Sequence, residues 1–182
     1  EAHATTALAN IGVVPKEAAE KVWEKGRDAV FDVARIDAIE AVTKHDVIAF
    51  LTHLAEIVGP EARFVHQGMT SSDVLDTSMA LQLRDSSDLL IAGLEAVSKR
   101  LKSLARKHER TWMVGRTHGV HAEPITFGIK VAGWHAEAMR CLRRMRAARE
   151  IIAYGKISGA VGAFSQLSPD VEAKVLDALG LR

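Results

Sequence analysis

Apolar residues recur at spacings of three and four along most of this chain, the pattern of amphipathic α-helices. From Ala2 to Gly59 the pattern comes in short runs, separated by glycine or proline at positions 12, 15, 26, 59 and 60. Pro15 suits the first turn of a helix. We therefore predict a compact N-terminal helical domain over residues 1–70.

Two much longer patterns follow. In the first, Ser71 or Ser72 offers an N-cap, and a seam of mostly apolar residues runs from residue 83 to residue 108 with alternating steps of four and three. A helix over residues 71–109 would be about 58 Å long and needs partners along its whole length. A second long helix is predicted over 124–154, and a short one over 169–179 after Ser168. We predict that residues 71–182 form the first, incomplete part of a central long-helix bundle.

Composition agrees with an all-α fold and narrows the possible partners. The chain is 48% hydrophobic and 26% charged, with only 4 Pro residues. The formal net charge of +1 is too small to predict electrostatic attraction to nucleic acid or to a membrane surface. Any anionic substrate would therefore have to be bound by local groups. Cys141 is the only cysteine and cannot form an intrachain disulfide. Without a signal-like or membrane-spanning apolar run, we expect a soluble, cytoplasmic protein.

The ends of the sequence lie inside helical patterns. Glu1 stands where a Met would begin a complete protein, and Arg182 directly follows the last helical run. We expect a fragment.

The segment 115–124 (G-R-T-H-G-V-H-A-E-P) separates the two long helices, and we predict a compact polar loop there. It could be an ordinary helix connection with two surface histidines. Loops carried on rigid helices are also where catalytic groups concentrate, and histidine transfers protons near neutral pH. His118 and His121 could form half of a metal site, but no second cluster at ligand spacing accompanies them.

The segment 66–73 (H-Q-G-M-T-S-S-D) leads into the first long helix. Capping alone would explain one hydroxyl and one carboxylate. Three consecutive hydroxyls beside a helix N-terminus are also typical of a carboxylate or phosphate site. A third polar segment, Lys44-His45-Asp46, has little specificity by itself, since Asp46 could simply cap a helix. The glycines at 155, 159 and 162 match neither a phosphate loop nor a dinucleotide fingerprint, and we expect no cofactor and no metal.

Taken together and in order, four segments resemble the bacterial type of the adenylosuccinate lyase family, within the fumarase/aspartase superfamily. They are 43–47 (T-K-H-D-V), 64–74 (F-V-H-Q-G-M-T-S-S-D-V), 115–124, and 155–162 (G-K-I-S-G-A-V-G). The T-S-S-D and G-R-T-H elements resemble those of the whole superfamily, and the others point to the adenylosuccinate branch. Lys44 departs from the Arg or Asn that often precedes the family's H-D pair.

The resemblance implies elimination of fumarate from adenylosuccinate, giving AMP, and from the succinylated carboxamide ribotide of purine synthesis. It implies that His118 is the general acid and that Thr117 lines the same pocket. It also implies that Thr70 and Ser71 contact a substrate carboxylate, that Lys44, His45 and Asp46 bind substrate, and that His66 lies close to the site.

The resemblance further implies a homotetramer whose active sites are shared between subunits. The family's catalytic base is a serine on a downstream glycine- and serine-rich loop that we do not find here, so we expect the 182-residue chain to be inactive alone. Two alternatives remain. One is an argininosuccinate lyase or cycloisomerase of the same superfamily, and the other is a non-catalytic helical scaffold.

Overall fold

The computed structural model describes residues 1–182 and is helical, as the sequence predicts, with one small sheet. The helices are α1 (Ala2–Asn10), α2 (Lys16–Gly26), α3 (Val33–Thr43), α4 (Asp46–Val58), α5 (Ser71–Lys107), α6 (Phe127–Ile152) and α7 (Pro169–Leu179). A short 3-10 helix spans Pro60–Phe64, and strands β1 (Trp112–Thr117) and β2 (Val120–Thr126) form an antiparallel pair. None of the helices is both long and apolar enough to cross a membrane.

The chain divides into two compact units. The first contains Glu1–Leu81 together with Tyr154–Arg182, and the second contains Gln82–Ala153, so α5 runs through both. The division into domains at residue 70 stays a prediction.

The core of the first unit lies among α1, α2 and α7. Small and branched residues allow these short helices to approach closely, and Val171 of α7 is fully buried against them. Ile157 and Leu167, from the irregular segment between α6 and α7, complete this core. A second cluster joins α2 to α4 through Val22, Leu54 and Val58.

The pair of helices α3 and α4 is tied together by a polar network. The ring of His53 is mostly buried, and its Nε2 accepts the backbone N–H of Asp32, the N-cap of α3, at 3.1 Å. Its Nδ1 lies 3.1 Å from Glu56, whose two carboxylate oxygens also accept two hydrogen bonds from Arg35. The hydrogen bonds from Arg35 and His53 lower the pKa of Glu56 to about 2. This network fixes the helices that flank Lys44 and His45.

The carboxylate of Asp73 fastens the segment after α6 to the first turn of α5. The side chain is fully buried, and it accepts from Lys156 Nζ at 2.5 Å and from the backbone N–H groups of Ser158 and Gly159 at 3.2 Å. It also accepts the N–H of Thr70 at 2.9 Å, which is half of a capping box. Lys156 is tied a second time, since its main chain exchanges two hydrogen bonds with the Thr77 hydroxyl.

In the second unit, α5 and α6 run antiparallel. Asp88 accepts two hydrogen bonds from Arg149, and Glu95 pairs with Arg146. Further along, His135 contacts the hydroxyl of Ser98 at 3.1 Å. Much of the apolar seam predicted on α5, including Leu83, Leu90 and Val97, is exposed in this chain.

The polar loop predicted at 115–124 is instead a β-hairpin. His118 and Gly119 form its two-residue turn with φ angles of 53° and 77°, the left-handed pair that a type I′ turn requires. The strands also contain a register shift next to Gly115, where a Cβ atom would lie 2.5 Å from the carbonyl oxygen of Glu123. The prediction of a compact polar loop was wrong because a histidine at the first turn position gives a weaker hairpin signal than asparagine or aspartate.

We expect Glu56→Gln to destabilise the first unit in a pH-dependent way. Because the pKa of Glu56 is lowered in the folded state, its contribution to stability is fully present above the unfolded value of about 4.3 and declines as pH falls towards 2. The difference between the urea unfolding midpoints of wild type and Glu56→Gln should therefore be constant near neutral pH and become smaller below about pH 4.5. Glu24→Gln, at an exposed position on α2, should show no such difference.

We expect Asp73→Asn to lower the free energy of unfolding of this chain by about 3 kcal/mol, because it removes one partner of a buried ion pair and replaces one acceptor oxygen by an NH₂ donor that faces other donors. Asp76→Asn, at an exposed position one turn later, should change it by about 0.5 kcal/mol or less. Urea unfolding of both variants measures the difference. Equal, small effects would show that the Asp73 network contributes little to stability.

Candidate active site

His118 lies at the tip of the hairpin in the second unit. Its side chain is exposed and makes no hydrogen bond within the chain, and Thr117 beside it is exposed as well. The bulged strands and the N-terminus of α6, capped by the Thr126 hydroxyl, hold the hairpin at its base. The arrangement offers a free imidazole on a short, rigid support, as proton transfer to a bound ligand requires.

Thr70, Ser71 and Ser72 lie at the N-terminus of α5 in the first unit. Asp73 accepts the N–H of Thr70 through its carboxylate and donates its own N–H to the Thr70 carbonyl oxygen, so neither hydrogen bond uses a side-chain hydroxyl. The three hydroxyls donate to no group in the chain, and the N–H groups of Ser71 and Ser72 have no acceptor within it. Unused donors at the positive end of a helix dipole favour an anionic ligand such as a carboxylate.

His66 lies four residues before Thr70 in the same turn region. Its backbone N–H donates to Glu1 Oε2 at 3.0 Å, and its ring Nδ1 lies 2.7 Å from Glu1 Oε1. The Glu1 side chain is only 7% exposed, and that of His66 is 19% exposed. Sequence reasoning missed Glu1, because no spacing rule connects residues 65 positions apart.

Lys44, His45 and Asp46 form the connection between α3 and α4. Lys44 ends α3 in a left-handed conformation, and its N–H donates to Glu40. The N-cap of α4 is His45, whose Nδ1 accepts from the N–H of Ile48 at 3.3 Å, so Asp46 does not serve as the helix cap that the structural alternative assigned to it. The His45 Nδ1 also lies 3.3 Å from the Asp46 carboxylate. Because this nitrogen accepts a hydrogen bond it carries no proton, so the contact is not an ion pair.

The backbone singles out the same residues independently. Four non-glycine residues have positive φ angles, and three of them are residues that the sequence predicts for the site: Lys44 at 55°, His66 at 64° and His118 at 53°. The fourth is Phe164. Left-handed conformations of non-glycine residues cost free energy and concentrate at functional sites.

The structure brings only some of the predicted residues together. His66, Thr70 and Ser71 share one short turn at the start of α5, and Asp73 and Lys156 support that turn from beneath. No hydrogen bond or ion pair joins this group to Lys44, His45 or Asp46. Thr117 and His118 belong to the other unit. No group of three or more His, Cys, Asp and Glu side chains is arranged to hold a metal ion.

Comparison with known proteins places this arrangement in a family. The family model described as "Lyase" matches residues 1–182. The adenylosuccinate lyase of Aquifex aeolicus (strain VF5) is 47% identical over 176 residues, which are 97% of this chain and 40% of that protein. The adenylosuccinate lyase of Synechocystis sp. (strain PCC 6803) is 49% identical over 175 residues, which are 96% and 40% of the two chains.

A solved structure agrees with these relatives. The fumarate lyase of Mesorhizobium sp. BNC1 matches with a TM-score of 0.89 at 30% identity, covering 100% of this chain and 44% of that one. The chain thus spans about 40% of the length of the curated relatives it matches. Because the family model covers every residue from the first helix to the last, the chain belongs to the lyase family.

Proposed function

We propose that this chain is part of an adenylosuccinate lyase, which eliminates fumarate from adenylosuccinate to give AMP and acts likewise on the succinylated carboxamide ribotide. The observation that carries the proposal is the identity of nearly half of the residues with two proteins of that name, across almost the whole chain. The unused donors at the start of α5 and the free imidazole of His118 supply the kinds of group that such a reaction needs.

Elimination requires that a proton leave the carbon next to a carboxylate while the bond from the neighbouring carbon to nitrogen breaks. The electron pair of the C–H bond forms the double bond of fumarate, and the departing nitrogen takes a proton. Negative charge grows on the carboxylate side of the transition state, so donors from Thr70, Ser71 and the α5 N-terminus would stabilise it there. A protonated His118 would donate to the departing nitrogen.

The other predicted residues would hold the substrate. In this proposal Thr117 lines the pocket beside His118, and Lys44, His45, Asp46 and His66 contact the nucleotide or its succinyl group. The base comes from residues outside this chain, so the 182 residues alone would be inactive.

Assembly would bring the separate groups into one site. We propose a homotetramer with active sites shared between subunits, located in the cytoplasm. The exposed apolar residues of the long helices, such as Leu90, Val97 and Ile129, support further helical partners.

His118→Ala in the complete natural protein should lower kcat for adenylosuccinate cleavage by about 10²- to 10⁴-fold, because the leaving nitrogen loses its proton donor. Ultraviolet absorbance follows the reaction. His121→Ala is the matched control: this residue pairs with Arg116 across the same hairpin and should leave the rate near wild type. An active His118→Ala enzyme would remove His118 as the acid, and no wild-type turnover would overturn the proposed function.

Two substitutions of Lys44 distinguish the effect of backbone strain on stability from the effect of the ammonium group on substrate binding. Lys44→Ala keeps the left-handed strain, whereas Lys44→Gly relieves it, so the glycine variant should be about 1 kcal/mol more stable to unfolding than the alanine variant. Both should raise KM for adenylosuccinate alike, because both lose the ammonium group. A wild-type KM in both variants would exclude Lys44 from the substrate contacts.

A further inference from the structure

Glu1 is the N-cap residue of α1, but its nearly buried carboxylate does not cap that helix. It makes polar contacts with one residue only, His66. Both oxygens of Glu1 are directed to His66, one to the backbone N–H and one to ring Nδ1. Burying a carboxylate is costly unless it is fully hydrogen-bonded. The Glu1 carboxylate accepts no hydrogen bond from any other residue.

The geometry fixes the position of one ring proton. A carboxylate only accepts hydrogen bonds, so the 2.7 Å contact requires the proton on Nδ1 of His66. The Nε2 atom makes no hydrogen bond in the chain. Every buried side-chain nitrogen of the chain has a hydrogen-bond partner, so Nε2 is not buried and is accessible from outside. The bond to the backbone N–H at the same time holds His66 at its positive φ of 64°.

We propose that Glu1 is a positioning residue for the reaction: it fixes the tautomer and orientation of His66 so that Nε2 is presented to the substrate. This inference rests on the proposed function, in which His66 contacts the substrate. Glu1 acts through His66 and touches no reacting atom. Its effect on turnover therefore exists only while the imidazole is present.

Glu1→Gln is the informative change because it keeps the size of the side chain and reverses one contact. The amide oxygen still accepts the backbone N–H of His66, and the amide NH₂ group then faces Nδ1 as a donor. Nδ1 must become the acceptor, and the proton moves to Nε2. Glu17→Gln, at an exposed position in the first turn of α2, is the matched control.

The first readout is the ring itself. Solid-state NMR of the complete protein labelled with ¹⁵N-histidine reports which ring nitrogen carries the proton, with the His66 signals identified by their loss in His66→Ala. We expect protonated Nδ1 in wild type and in Glu17→Gln, and protonated Nε2 in Glu1→Gln. The same tautomer in wild type and Glu1→Gln would overturn the proposal.

The second readout is a double-mutant cycle on kcat/KM for adenylosuccinate. Glu1→Gln should lower kcat/KM about tenfold or more with His66 present, and should have almost no further effect in the His66→Ala background. Glu1→Asp, which keeps a carboxylate, should recover part of the loss. An equal loss from Glu1→Gln in both backgrounds would show that Glu1 acts through the fold and would overturn the positioning role, as would full activity of His66→Ala.

The two proposals fail in different ways. If the complete wild-type protein does not cleave adenylosuccinate, the proposed function is wrong, and the ring tautomer alone then decides whether Glu1 sets the state of His66. If the wild type is active and the cycle shows no coupling, the proposed function stands and the role of Glu1 is wrong.

Discussion

The buried carboxylate of Asp73 is the interaction on which the candidate site depends. It has no access to water, so the chain itself must supply every donor, and those donors come from Thr70, Lys156, Ser158 and Gly159. The pairing joins positions more than 80 residues apart and sets where α5 begins. The hydrogen bonds between Thr70 and Asp73 at that helix end use the Asp73 carboxylate and the backbone, and the hydroxyls of Thr70 and Ser71 make no hydrogen bond in the chain.

Backbone strain marks three of the candidate site residues before any substrate is present. Lys44, His66 and His118 adopt left-handed conformations that glycine would adopt more easily. Each has a structural feature that holds it there: a helix end at Lys44, the Glu1 carboxylate at His66, and a two-residue hairpin turn at His118. Glycine at these three positions would relieve the strain, so each side chain is present at a cost in stability. Such a cost is consistent with binding or chemistry at these positions.

Periodicity alone was enough to predict the long helices, because their apolar steps of three and four extend over many turns. The bounds of α7 at 169–179 followed from Ser168 as the cap. The start of α5 near residue 71 was also predicted, but Ser71 is its first helical residue, so the N-cap is Thr70 and the prediction of Ser71 or Ser72 as the cap was wrong. The hairpin was not predicted, since a His-Gly turn carries a weaker signal than Asn-Gly and the two short strands are interrupted by Gly115 and Pro124. The partners Glu1 and Lys156 could not be assigned from spacing, because tertiary packing alone brings them to His66 and Asp73.

The candidate site residues themselves were found through resemblance and not through periodicity. Sequence patterns alone allow both a structural and a functional interpretation of His118, Thr70 and Lys44. The four ordered segments that resemble the family favour the functional interpretation. The structure adds what the resemblance lacked, namely the free donors at the start of α5, the accessible Nε2 of His66 and the strained backbone.

A crystal structure of the complete natural protein with fumarate and AMP bound tests the central claim most directly. The account predicts a fumarate carboxylate within hydrogen-bond distance of Thr70, Ser71 or the first N–H groups of α5. It also predicts a His118 imidazole, from the same or a neighbouring subunit, beside the nitrogen of AMP that would be released. Ligands bound away from the start of α5, with His118 in open solvent, would contradict it.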